Sequence, residues 1–173
     1  MTKLLASSAL ALAAFVALGR TAHAEGGGGG VANSIGVGVE SQLAGSLSGV
    51  SDLSVQYDGG AFHAGGFFGL SDPAGRSNTA FEVGGRFFYH VHRTASADFS
   101  LGASLGIDSA ADPAGGSVTA VFLEPSFQIR WFAASNVALS FTGGFSIGLD
   151  DDKDFSIGGQ LTGVAGIHYY FTK

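Results

Sequence analysis

The stretch from Val137 to Leu149, VALSFTGGFSIGL, alternates without a break. Val137, Leu139, Phe141, Gly143, Phe145, Ile147 and Leu149 take the odd positions. Ala138, Ser140, Thr142, Gly144, Ser146 and Gly148 take the even ones. Successive side chains of a strand point to opposite faces. One face is therefore broad, apolar and aromatic, and the other is small and polar. Soluble strands are usually only about 5–6 residues long. At ~3.3 Å per residue this run reaches roughly 40 Å, enough to cross a bilayer at the tilt of a barrel strand.

Composition points the same way. Of 173 residues 29 are Gly, aromatics make 12%, and Asp, Glu, Lys and Arg together make only 13%. That charged share is about half of what a soluble domain carries. The mean hydropathy is positive at +0.32. Yet beyond residue 18 no apolar run approaches the ~18–20 residues of a spanning helix. A positive average without such a run fits a membrane β-barrel, whose hydrophobicity is spread over every second residue. There is no cysteine, which excludes a disulfide framework, cysteine catalysis and Cys-ligated metal. The net charge of −6 comes without a basic stripe, so nucleic acid is not an expected partner.

Residues 1–24 read as a secretory signal peptide. Lys3 is the positive start, Leu4 to Leu18 the apolar core, and Ala22-His23-Ala24 a small-x-small cleavage pattern. Losing Lys3 and Arg20 leaves six basic against fourteen acidic residues. Residues 25–33 begin EGGGGG, which has nothing to pack, and read as a flexible lead-in.

Alternation then predicts eight strands within residues 34–171. They are Ser34–Ser41, Leu53–Tyr57, Ala61–Leu70, Ala80–His92, Phe99–Ile107, Val118–Phe132, Val137–Leu149 and Ser156–Phe171. Asp58-Gly59-Gly60 is a hairpin turn, because Asp-Gly and Gly-Gly supply the positive φ of two-residue connections. Pro125 removes a ladder donor within the sixth strand and predicts a bulge or weak pairing. The connections 42–52, 71–79, 108–117 and 150–155 are longer and rich in Ser, Gly, Asp and Pro. Those at 58–60, 93–98 and 133–136 are short. Long loops on one side and short turns on the other are the plan of an outer-membrane barrel. Tyr57, Tyr89, Trp131, Tyr169 and Phe171 fall near strand ends, where interfacial aromatic girdles sit.

The last strand, LTGVAGIHYYF, alternates and finishes in the aromatic Phe171, with Thr172 and Lys173 after it. With this strand and the eight-strand plan, the chain resembles the small eight-stranded outer-membrane proteins of Gram-negative bacteria, the OmpA/OmpX-like barrel class. The resemblance covers roughly residues 34–171. It implies an antiparallel up-and-down transmembrane β-barrel with short periplasmic turns and a last strand read by the barrel-assembly machinery. It also implies contact with outer-membrane lipid and lipopolysaccharide.

Glu40, Glu82, Arg86, Glu124 and Arg130 all fall on the small-residue face and read as a structural lumen charge network. The same charges facing lipid would cost several kcal/mol each at mid-depth. Following the short connections places Arg86 and Glu124 at similar depth, two strands apart. They are expected to form an ion pair with Glu82 and Arg130 nearby. An eight-stranded barrel is just wide enough for its own side chains to fill, so the lumen is expected to be plugged. Of the histidines His63, His90, His92 and His168, only His90 and His92 are near neighbours, on one strand face. Two ligands do not make a metal site, and His92 is expected to pair with Asp98 across the 93–98 turn. The acidic run Asp150–Asp154 lacks the spacing of a calcium loop. No metal and no cofactor is expected.

Some eight-stranded barrels modify lipid A, and the deacylase type places a His and a Ser two residues apart. Here His90-Val91-His92 and His168-Tyr169-Tyr170 have no Ser in that place, and no Ser/His/Asp set is legible. The expected protein is thus not an enzyme. It is an outer-membrane component with a structural, envelope-integrity or surface-interaction role, its possible surface ligand meeting loops 42–52, 71–79, 108–117 and 150–155. A narrow porin-like solute or ion channel is the alternative. A secreted lipocalin-like binder would need the two faces inverted.

Overall fold

The computed structural model describes residues 32–43, 51–71, 79–111, 116–149, 155–157 and 163–171. The signal-peptide reading, most of the Gly-rich lead-in and the tips of the four longer connections lie outside these residues.

The described residues hold nine strand segments and no helix. They are β1 (Ser34–Gln42), β2 (Ser51–Asp58), β3 (Phe62–Ser71), β4 (Ala80–Arg93), β5 (Ala97–Ala111), β6 (Ser117–Ala134), β7 (Val137–Gly148), β8 (Phe155–Ile157) and β9 (Val164–Phe171). Each neighbour pair is antiparallel, and consecutive strands pair from β1 through β7. Segments β8 and β9 both pair with β7, and together they form one edge. The ring shuts where β9 pairs with β1, from Ile35 opposite Phe171 to Gln42 opposite Val164. The result is a closed eight-stranded up-and-down barrel.

Closure requires stagger, and the ladder shows it. Moving sideways from Gln42 leads to Val164, Thr142, Gln128, Ser100 and His90. His90 then donates its backbone N–H to Ala61. The next residue, Gly60, lies against Ala32, at the far end of β1 from Gln42.

Period-2 patterning decides which face is which, and β2 shows it most simply. Asp52, Ser54, Gln56 and Asp58 are buried, while Leu53, Val55 and Tyr57 are exposed. The same holds around the wall. Ile35, Val39, Phe87, Leu105, Phe145 and Ile167 lie outside, and Glu40, Glu82, Arg86, Glu124, Gln128 and Arg130 lie inside. This inverts the arrangement of a soluble domain, whose large apolar residues go in and charges stay out. The inner face is not merely small and polar. Phe67, Phe88, Phe122, Phe132 and Tyr170 fill it as well. Two glycines of β1 make room for the rings opposite them: a Cβ on Gly36 would meet the Tyr170 ring at 2.7 Å, and one on Gly38 would strike His168.

Several strands run further than alternation alone indicates, while the described part of the expected eighth strand, Ser156–Phe171, is the two segments β8 and β9. Asp52 belongs to β2, Asp108 to β5 and Asp98 to the start of β5, so the connections are shorter than 42–52, 108–117 and 93–98. Pro125 causes no register shift. Its ladder to β5 is intact, opposite Ala103, but the β6–β7 ladder has no assigned pair for Glu124 or Pro125. The irregularities fall elsewhere, between His90 and His92 and between Phe132 and Ala134. A larger one lies on the other side of β7. Thr142 pairs with Val164 but Phe145 pairs with Ile157, so the ladder on that side skips Gly143 and Gly144.

Candidate functional site: the lumen

The interior is organised around two arginines. Arg130 on β6 is fully buried. Its Nη2 donates to Asp58 Oδ2 and to Asp98 Oδ2, each at 2.7 Å, and its Nε reaches Asp98 Oδ1 at 3.1 Å. Asp98 thus receives the two-pronged grip that a planar guanidinium offers a carboxylate. Two carboxylates and several hydrogen bonds offset the cost of removing this cation from water. Arg130 Nη1 donates to the Tyr170 hydroxyl at 2.9 Å. Its Nη2 also lies 3.0 Å from His90 Nε2.

His90 has a legible proton arrangement. Its Nδ1 lies 2.9 Å from the carbonyl of Gly60, which can only accept. Nδ1 therefore carries the hydrogen, and Nε2 accepts from His63 Nδ1 at 2.8 Å, with Arg130 Nη2 beside it. The His63 ring stacks on Phe88. Arg93 also donates to the Gly60 carbonyl, which ties the short-turn end down.

Arg86 on β4 is the second centre. Its Nη1 donates to Glu40 Oε2 at 2.7 Å, with both side chains buried. The guanidinium lies over the Phe67 ring at 4.3 Å from the centroid. Glu40 Oε1 meets His168 Nε2 at 3.1 Å, and that nitrogen lies 2.7 Å from Ser54 Oγ and 3.1 Å from Gln56 Nε2. Gln56 Oε1 accepts from the Tyr170 hydroxyl at 2.9 Å. A continuous line of close polar contacts therefore runs from Arg130 through Tyr170, Gln56, His168 and Glu40 to Arg86, with His168 Nε2 as the atom shared by Gln56 and Glu40.

All five charges assigned to the lumen from sequence point inward, but their partners differ from the expected ones. Arg86 binds Glu40, not Glu124. The ladder argument compared strands at equal sequence depth, whereas the stagger of a closed sheet brings β1 across the lumen to β4. Arg130 binds Asp58 and Asp98 rather than a glutamate. Glu82 accepts from Gln42 at 3.3 Å. His92 does not pair with Asp98. The irregularity after His90 turns His92 to the exposed face, and Asp98 is held by Arg130. Sequence reasoning missed Asp58, Gln56, His168 and Tyr170 as members of the network. Asp58 was read only as a turn residue, although it is in phase with Ser54 and Gln56, and that phase is the signal that identifies it.

The five aromatics assigned to a girdle gather at one rim. Tyr57 lies opposite Ile35, Ile35 opposite Phe171, and Tyr169 between Val37 and Val137. Tyr89 pairs with Phe62, and Trp131 lies between Ala97 and Leu139. All are at the short-turn end, and all but the half-buried Trp131 are exposed.

No three His, Asp or Glu side chains gather as a metal cluster among the described residues. Comparison with known proteins returned no matching family, no matching curated protein and no matching solved structure.

Proposed function

We propose that this chain is a non-enzymatic transmembrane barrel of a bacterial outer membrane, exported by a cleaved signal peptide. Its role is structural or surface-interacting, as an OmpA/OmpX-like envelope component. The observation that carries this reading is the inverted wall. A continuous apolar exterior surrounds an interior of ion-paired and hydrogen-bonded side chains. Lipid is the solvent that favours such an exterior. The aromatic rim supports it, since Tyr and Trp favour the membrane–water boundary. The last strand ends at Phe171 on that rim, the side assigned to the periplasm.

The filled interior supports a wall that does not conduct. The two arginine centres and the rings of Phe67, Phe88 and Tyr170 occupy the space through which a solute would pass. The working surface is then the ring of four longer connections, whose Ser, Gly and Asp content suits contact with lipopolysaccharide or a surface ligand.

The test is a gel of the outer-membrane fraction, boiled against unboiled. An enriched band whose mobility shifts on boiling is the expected result. A soluble periplasmic protein without a shift would make a secreted ligand-binding barrel the better reading. Steady single-channel current in planar bilayers would replace the sealed wall with the channel reading.

A further inference from the structure

On the short-turn side of the layer where the Phe67 and Phe122 rings pack together, the lumen is lined unevenly. Arg86 on β4 lies opposite Ser104 on β5, and Ser104 lies opposite Glu124 on β6. The next inward residue of β6 is Ser126, which pairs with Gly144 of β7, and the inward residue after Gly144 is Ser146. Gly102 and Gly106 flank Ser104 on the inner face of β5, and Gly144 and Gly148 flank Ser146 on that of β7. Apart from Glu124, this sector of the wall carries only small side chains. It lies between two levels of rings, with Phe67 and Phe122 on one side and Phe88 on the other.

Several polar atoms here have no hydrogen-bond partner among the described residues. They are Arg86 Nε and Nη2 and the hydroxyl oxygens of Ser104, Ser126 and Ser146. These residues are only 5%, 1%, 8% and 1% exposed. Arg130 uses the same Nε–Nη2 edge to hold Asp98 with both prongs, whereas Arg86 engages only its Nη1, on Glu40. Buried polar atoms are nearly always satisfied, so the open fork and the hydroxyls face a partner that the wall itself does not supply. That partner is neutral. Glu40 already answers the Arg86 charge, and Glu124 beside Ser104 repels an anion. A cation would meet the guanidinium. The partner must also accept from nitrogens that only donate, and serve hydroxyls that do both.

We propose that this sector binds a cluster of buried water molecules, held by Arg86 Nε and Nη2 and by the hydroxyls of Ser104, Ser126 and Ser146. Water both accepts and donates, and buried waters sit among a few such polar groups that the protein leaves unsatisfied. The cluster links Arg86 to Glu124 through solvent, while Glu40 keeps the direct contact. The Phe67–Phe122 contact closes it off toward the longer connections, and the Gln128–Thr142 bond lies toward the short turns. The plug is then built of dry ring levels with one hydrated level between them. Nothing in this depends on where the barrel resides.

The experiment uses the full mature chain, labelled with heavy nitrogen and folded in detergent. Cross-relaxation between water and the arginine Hε protons reads the contact, and its sign in paired laboratory-frame and rotating-frame spectra separates it from proton exchange. Arg86 Hε is expected to show a long-lived water contact, with R86K identifying its signal. Arg130 Hε, held by Asp98, is expected to show none and serves as the internal control. Melting of the folded gel band gives a second reading. A buried hydroxyl without any partner costs stability, so its removal would raise the midpoint. A hydroxyl that holds water stabilises, so S104A and S126A are each expected to lower the midpoint by about 2–4 °C. A dry Arg86 Hε overturns the proposal, as does a midpoint that stays or rises in both variants. An Arg86 Nε signal that moves when chloride replaces sulfate at equal ionic strength overturns it too, and assigns the fork to an anion. If the variants fail to fold, the wild-type spectra decide.

Discussion

Tyr170 donates its hydroxyl to Gln56 at 2.9 Å, and that bond joins the two arginine centres of the lumen. Tyr170 also receives Arg130 Nη1. Gln56 in turn touches His168, which meets Glu40, the partner of Arg86. The plug is one connected body rather than two separate ion pairs.

The Arg130 centre is expected to carry a large share of the stability. R130M would leave Asp58 and Asp98 buried without their cation, at a cost of about 3–5 kcal/mol. Adding D58N and D98N to it is expected to recover much of that loss. Melting of the folded gel band checks both. An R130M midpoint equal to the wild type's would remove the pair from any stabilising role.

The exterior should respond to charge according to depth. Leu105 lies outward near the middle of β5, and Tyr57 lies outward at the rim. In lipid vesicles, Leu105→Arg is expected to cost about 2–4 kcal/mol and Tyr57→Arg about 0–1 kcal/mol. Folding titrations in phospholipid provide the measurement. Equal costs at both depths would argue against a lipid-facing wall.

Glycines under rings should be unforgiving, and outward glycines mild. Gly38→Val would collide with His168 and with the Ile167 carbonyl, breaking the bridge between the centres. Gly66→Ala meets its nearest atom at 3.4 Å, an ordinary contact. The yield of heat-modifiable protein is expected to fall sharply for the first and to hold for the second.

The histidines should divide by exposure. His92 lies on the exposed face, while His63, His90 and His168 are buried. Brief treatment with an imidazole-acylating reagent, read by peptide mass spectrometry, is expected to modify His92 first. Early modification of His168 would mean that the lumen is open to solvent.

Much of this architecture is written in a period of two. Alternation assigns each side chain to a face without knowledge of its partners, so the inward placement of Glu82, Arg86 and Arg130 is legible from the chain. Partner choice across the lumen is a different property. It depends on stagger and radius, which belong to the closed sheet, and so Arg86 reaches Glu40 rather than Glu124. The fate of His92 was hidden for another reason. One irregular step at Val91 turns the next side chain to the opposite face, and nothing in HVH announces it. Asp58 and Asp98 lie at strand ends beside turns, where a carboxylate usually serves the turn. Their phase with Ser54 and Ser100 marks them as interior groups.

The final strand supplies both links of the plug, since Tyr170 and His168 belong to β9. β9 is also the segment that shuts the ring against β1 and β7. Without it, Arg130 keeps its ladder neighbour Asp98 but has no bridge to Arg86. Closing the wall and joining the two centres are therefore a single event in assembly, and a chain arrested one strand short would be a wet, charged trough rather than a leaky tube.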